Sequence, residues 1–126
     1  LSRALPHVFI INGKTWVNNH AHVLKANNNM NPTFLCMYLE SLDYRKFNSG
    51  SAQPKLNKAV CEKIPVRVPI KEEQQKIASV LTNADKEIEL LEQQLADLKQ
   101  EKKALMQQLL TGKRRVKTDE SEAVWA

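Results

Sequence analysis

Two cysteines in 126 residues, Cys36 and Cys61, are too few for a disulfide framework, and they point to a reducing, cytoplasmic setting. Only three glycines are present, and no Gly-rich phosphate loop of the Walker kind can be written from them. No apolar run approaches the roughly 18 residues needed to cross a bilayer, so no membrane is expected as a partner. The first twenty residues lack a signal-peptide pattern. Methionine is missing from position 1, where Leu1 stands, which points to a piece of a longer polypeptide. Acidic residues are scarce at the start. Residues 1–70 hold nine Lys/Arg against three Asp/Glu, whereas residues 71–126 hold ten against eleven. The net charge of +5 therefore sits in the first half, where it suits a polyanion. The only basic cluster of the second half is Lys113, Arg114, Arg115 and Lys117.

Residues 1–69 read as a mixed α/β piece. Phe9-Ile10-Ile11 and Thr15-Trp16-Val17 flank Asn12-Gly13, a dipeptide that tolerates the positive φ angles of a tight hairpin. His20 to Leu24 alternates as a further strand would, and Asn27-Asn28-Asn29 breaks it. Asn31 can cap a helix with Pro32 at its first position, followed by Phe34, Leu35, Tyr38, Leu39 and Leu42 at helical spacing. A loop holds Asn48 to Ser51. Ile64, Val66 and Val68 alternate as a short strand, and Pro65 and Pro69 place it at an edge.

From about residue 70 to 112 the pattern is a single long helix. Ile77, Leu81, Ala84, Ile88, Leu91, Leu95, Leu98, Lys102, Leu105 and Leu109 recur at spacings of four and three, a heptad seam with one polar member. About 40 residues at a rise of about 1.5 Å give a rod of roughly 60 Å. Gly112 stands where a C-terminal cap belongs. A rod this long cannot hide its seam against 70 residues, so the seam must meet another helix. That helix comes from a second copy, from another part of the same polypeptide, or from a different protein. Lys102 disfavours some registers. Val80, Leu90, Met106 and Leu110, off the seam, hint at a second contact surface. The tail, residues 113–126, turns from basic to acidic and is expected to be disordered from Thr118 to Ala126. The fold class expected is thus α+β, a partial mixed α/β domain followed by one long coiled-coil helix.

These residues also carry a family signature. Gly50-Ser51-Ala52-Gln53-Pro54-Lys55-Leu56-Asn57 leads into Ile64-Pro65-Val66-Arg67-Val68-Pro69. Glu73-Gln74, Ile77-Ala78, the long helix and Leu109-Leu110-Thr111-Gly112-Lys113 follow in order. The succession is similar to the end of a target-recognition domain joined to the conserved helical region of type I restriction-modification specificity subunits. Gly13 to Leu24 resembles the interior of such a domain, so the likeness covers roughly residues 9–115. One departure is Ile70-Lys71, where the family places a further Pro.

The resemblance implies a non-catalytic subunit with two recognition domains, each reading half of a split double-stranded DNA target. Two long antiparallel helices then act as a ruler for the gap. Methyltransferase subunits dock on that frame and methylate adenine N6 from S-adenosylmethionine; a restriction subunit uses ATP and Mg. None of these cofactors is expected on this chain, which carries one recognition domain, apparently incomplete, and one helix.

For DNA contact the candidates are Lys14, Asn18, Asn19, His20, Tyr44, Arg45, Lys46, Ser51, Gln53 and Lys55. Lys and Arg neutralise phosphates, and Asn and Gln can pair bidentately with adenine. The competing reading is that Asn-rich turns are only turns, because Asn accepts left-handed backbone angles. The Gly50–Gln53 loop serves either DNA contact or the exit into the helix. Lys113–Lys117 reads first as a solvated helix end matched to the dipole. His20 and His22 share a strand face at a spacing that permits a metal, but two ligands make no site without His7 or Cys36, and none is expected. Asn31-Pro32-Thr33-Phe34 faintly resembles the motif that holds a flipped adenine. Thr33 replaces its second Pro, and Asn31 is more simply a cap. The alternative function is a helical assembly module without DNA binding of its own.

Overall fold

The computed structural model describes residues 7–47 and 56–118. In order these form α1 (Pro32–Glu40), a 3₁₀ turn (Tyr44–Phe47), α2 (Lys58–Glu62) and α3 (Lys71–Leu109). The α+β expectation is wrong: no strand occurs among the described residues. Residues 9–11, 15–17, 20–24 and 64–68 lie outside any regular element and form no strand ladder. Gly13 does take a positive φ of 84°, as the turn at Asn12-Gly13 requires. Its three-residue arms form no ladder, because an isolated two-stranded hairpin is marginal without a sheet or helix to cover it. Phe9 and Trp16, 72% and 95% exposed, find no such cover here.

Side chains do the work that a ladder was expected to do. The Cys36 thiol donates to the Val8 carbonyl at 3.6 Å. Around the Ile64–Val68 segment, the Tyr38 hydroxyl donates to the Pro65 carbonyl and accepts from the Arg67 amide, each at 3.4 Å. The alternation read from this segment survives only in part: Ile64 and Val66 are half-buried and Pro65 and Arg67 exposed, but Val68 is 49% exposed.

The chain divides into two compact units, Leu1–Thr82 and Asn83–Ala126. In the first, helix α1 starts where Asn31 Oδ1 accepts from the Phe34 amide at 3.0 Å, with Pro32 at the opening position. Its buried members are Phe34 and Leu39, joined by Tyr44 and Ala78. Phe34 and Tyr38 place their rings 6.0 Å apart, and Tyr44 and Phe47 theirs 6.3 Å apart. The short α2 was not expected from the sequence. Asn57 caps it by accepting from the Val60 amide at 2.8 Å.

The second unit holds most of α3 and its end. Gly112 adopts φ 74°. This folds the chain back so that the Arg114 amide donates to the Gln108 carbonyl at 3.0 Å and the Gly112 amide to that of Leu109 at 3.2 Å. The Thr111 hydroxyl donates to the Gln107 carbonyl. With the Leu110 amide on Met106, the last four carbonyls are all engaged, as a stable helix end demands.

Candidate functional site

Local hydrogen bonding decides which of the expected DNA-contact residues are offered outward. Lys14 follows Gly13 and is exposed. Asn18 is a turn residue: its side-chain oxygen accepts from the His20 amide at 3.0 Å, the local bond that gives Asn its turn preference. Asn19 and His20 are exposed in the same turn. His22, two residues on, is committed elsewhere, its ring Nε2 lying 2.5 Å from the Leu56 carbonyl oxygen. No cluster of three His, Cys, Asp or Glu suited to a metal occurs among the described residues.

The 3₁₀ turn splits its three candidates. Tyr44 points inward and donates to the Leu39 carbonyl at 2.6 Å, so its hydroxyl is spent on closing α1. Burial pushes that phenol up from its ordinary pKa. Arg45 lies outside and grips Asp43 with both Nε (2.8 Å) and a terminal nitrogen (3.1 Å). These bonds hold the Asp43 carboxyl below its usual range and raise the Arg45 guanidinium. Such an exposed pair is screened by salt and contributes little to stability, but it sets the charge that this turn shows. Asp43→Asn would leave Arg45 with its charge uncompensated, and is expected to tighten duplex DNA binding at low salt. A titration monitored by fluorescence anisotropy checks this. Lys46 is exposed beside the pair. Ser51, Gln53 and Lys55, like the acidic tail from residue 119, lie outside the described residues.

Neither cysteine is poised as a nucleophile. Burial first, and then a neighbouring carboxylate (Glu40 for Cys36, Glu62 for Cys61), push both thiols up and so disfavour the thiolate.

The sequence reading missed the best-built polar cluster, which surrounds Gln74. This side chain is 1% exposed. Its Nε2 donates to the Pro69 carbonyl at 2.8 Å and to the Asn29 carbonyl at 3.0 Å, while its Oε1 accepts from the Asn31 amide at 2.7 Å. Asn31 Nδ2 in turn donates to Gln75 Oε1 at 2.8 Å, and Lys71 Nζ to the Asn28 carbonyl at 3.2 Å. The Asn27–Asn31 turn is thereby fastened to the first turn of α3. The available signal was the Asn run at 27–29 and the Gln74-Gln75 pair, but nothing local joins them.

On the second unit, the seam stands open. Ile88, Leu91, Leu95 and Leu98 are each more than half exposed, and Leu105 is 40% exposed. Leu81, in the first unit, is 43% exposed. Near the helix end, Leu98, Leu105 and Leu109 merge with Met106 and Leu110 into a shallow apolar groove bordered by Glu101 and Lys102. Among the described residues no helix is long and apolar enough to cross a membrane.

Comparison with known proteins places this geometry. The family described as type I restriction modification DNA specificity domain matches residues 6–100. A Haemophilus influenzae protein named as a type I restriction enzyme specificity subunit is 36% identical over 69 residues. That stretch is 55% of this chain and 18% of the relative, so the chain spans less than a fifth of that protein's length. No solved structure matches the chain.

Proposed function

Because the chain belongs to the type I restriction-modification DNA specificity domain family, we propose that it reads one half of a split duplex target and scaffolds the partners that act on it. The observation that carries the reading is the extent of the family match, which runs from the basic first segment across the long helix to residue 100. In this reading residues 1–69 touch DNA and residues 70–112 supply the spacer and the docking surface for a methyltransferase subunit and a restriction subunit. S-adenosylmethionine, ATP and Mg belong to those partners, and this chain performs no catalysis.

Phosphate contact falls to Lys14 and Lys46, whose side chains are exposed, and to Arg45 if it exchanges Asp43 for a phosphate oxygen. Asn19 and His20 remain the candidates for base edges within the described residues. Binding should be steeply salt-dependent, because each neutralised phosphate releases counterions and adds about −0.9 to the slope of log K against log salt. Lys46→Ala should reduce that slope by about 0.9 and weaken binding to all duplexes alike. Electrophoretic shifts on duplex DNA across a salt series measure both.

A second reading, an assembly module without useful DNA affinity, is favoured by the inward Tyr44 and the occupied Arg45. It predicts no shift even at low salt, with intact co-purification of the methyltransferase subunit.

A further inference from the structure

The start of α1 is tied to the first turns of α3 within the first unit by polar, directional bonds. Only four apolar side chains are buried among the described residues, whereas Gln74 alone makes three hydrogen bonds to backbone from a position closed to water. The partners fix its amide unambiguously: the oxygen must face the Asn31 N–H, and the nitrogen must face the two carbonyls. Apolar contacts tolerate sliding and rotation, but a buried amide with three bonds does not, since each lost bond leaves an unpaired backbone group. Asn31 is the second node. Its side-chain oxygen caps α1, its side-chain nitrogen holds Gln75, and its backbone amide holds Gln74. One residue thus starts α1 and ties it to α3.

We propose that Gln74, acting through Asn31, is a positioning residue that fixes the DNA-reading segment in one rotational setting on α3, and so governs which gap between half-sites is accepted. This rests on the function proposed above. Gln74 touches no base and lies too deep to do so. Its loss should therefore relax the gap while leaving the bases read in each half-site unchanged.

Gln74→Glu keeps the size and the acceptor toward Asn31 but turns the donor into an oxygen facing two carbonyls. Burial and these carbonyls favour the protonated acid, which can donate to one of them. The latch should then open as pH rises and close as it falls. The experiment is methylation of defined duplexes by the polypeptide carrying this chain, assembled with its methyltransferase, on targets whose gap varies by one base pair. The wild-type complex should prefer its own gap by about tenfold or more at both about pH 6 and about pH 8.5. The Gln74→Glu complex should lose that preference at about pH 8.5 and regain it toward about pH 6, with half-site bases unchanged.

A uniform fall in rate with the gap preference kept would mean a merely structural role and overturn the proposal. So would an unaltered preference at high pH. If Gln74→Glu does not fold, Asn31→Ser keeps a capping oxygen and the backbone amide but drops the bond to Gln75. It should broaden the gap in the same direction by a smaller factor, and an unchanged gap there also counts against the proposal. A wild-type complex that methylates no split target at any gap fails before any substitution is made. That result removes the proposed function itself, and is told apart in this way.

Discussion

Leu91→Asp is expected to weaken the proposed pairing of α3 with a second helix by at least about a hundredfold. Leu91 is 56% exposed, so roughly half of its side chain awaits cover. Burying a whole Leu is worth about 1.5–3 kcal/mol, and covering the exposed half about 1. The larger part of the effect is the carboxylate, which would be drawn into an apolar seam with no partner at a cost of several kcal/mol. Leu95, one seam position on and 52% exposed, should behave alike. The helix itself should persist, since one Asp costs an exposed helix interior only about 0.7 kcal/mol or less. Sedimentation velocity of the chain, alone and with the proposed methyltransferase partner, reads the change, and circular dichroism checks the helix. Glu89→Gln, on the outer face, serves as the control and should have no effect. An oligomeric state untouched by Leu91→Asp would refute the seam.

Phe34→Ala should cost about 3–5 kcal/mol in the first unit, the usual loss for a buried aromatic truncated to Ala. Phe34 is 5% exposed, contacts the Tyr38 ring and donates its amide to the Asn31 cap oxygen. Domains have only about 0.05–0.15 kcal/mol per residue to lose. A unit with four buried apolar residues among those described therefore stands to lose most of its stability. Urea unfolding followed by the near-ultraviolet dichroism of Tyr38 and Tyr44 should show the midpoint fall sharply or vanish. An unchanged midpoint would show that this core does not hold the unit together, and would leave the amide latch as the principal tie.

Some of this molecule was legible because it is local. Nothing beyond a few neighbouring residues is needed to make Asn31-Pro32 open a helix, to extend α3 without Pro or Gly from Lys71 to Leu109, or to have Gly112 close it. The strands failed for the opposite reason. The alternation holds for Ile64 and Val66, which are half-buried, and fails at Val68, which is 49% exposed; a strand, moreover, is a relation between two segments. Here the second segment is a Tyr38 hydroxyl and not another backbone. Tyr44 and Arg45 are both candidates for DNA contact from the sequence. The structure turns Tyr44 in to the Leu39 carbonyl, and gives Arg45 to Asp43 two residues away. Gln74 was invisible as a buried group, because Glu72-Glu73-Gln74-Gln75-Lys76 reads as the solvated first turn of a helix.

The sequence by itself thus determined α1 and α3, the Asn31 and Gly112 caps, the apolar seam and the concentration of positive charge in the first seventy residues, since each follows from short-range spacing and composition. Only the tertiary structure decided that the extended segments are held by single side chains instead of a sheet, and that Gln74 bolts the Asn27–Asn31 turn to α3. Those outcomes depend on contacts between residues some 30 to 45 positions apart. Neither propensity nor periodicity encodes which distant donor will meet which acceptor once water is excluded.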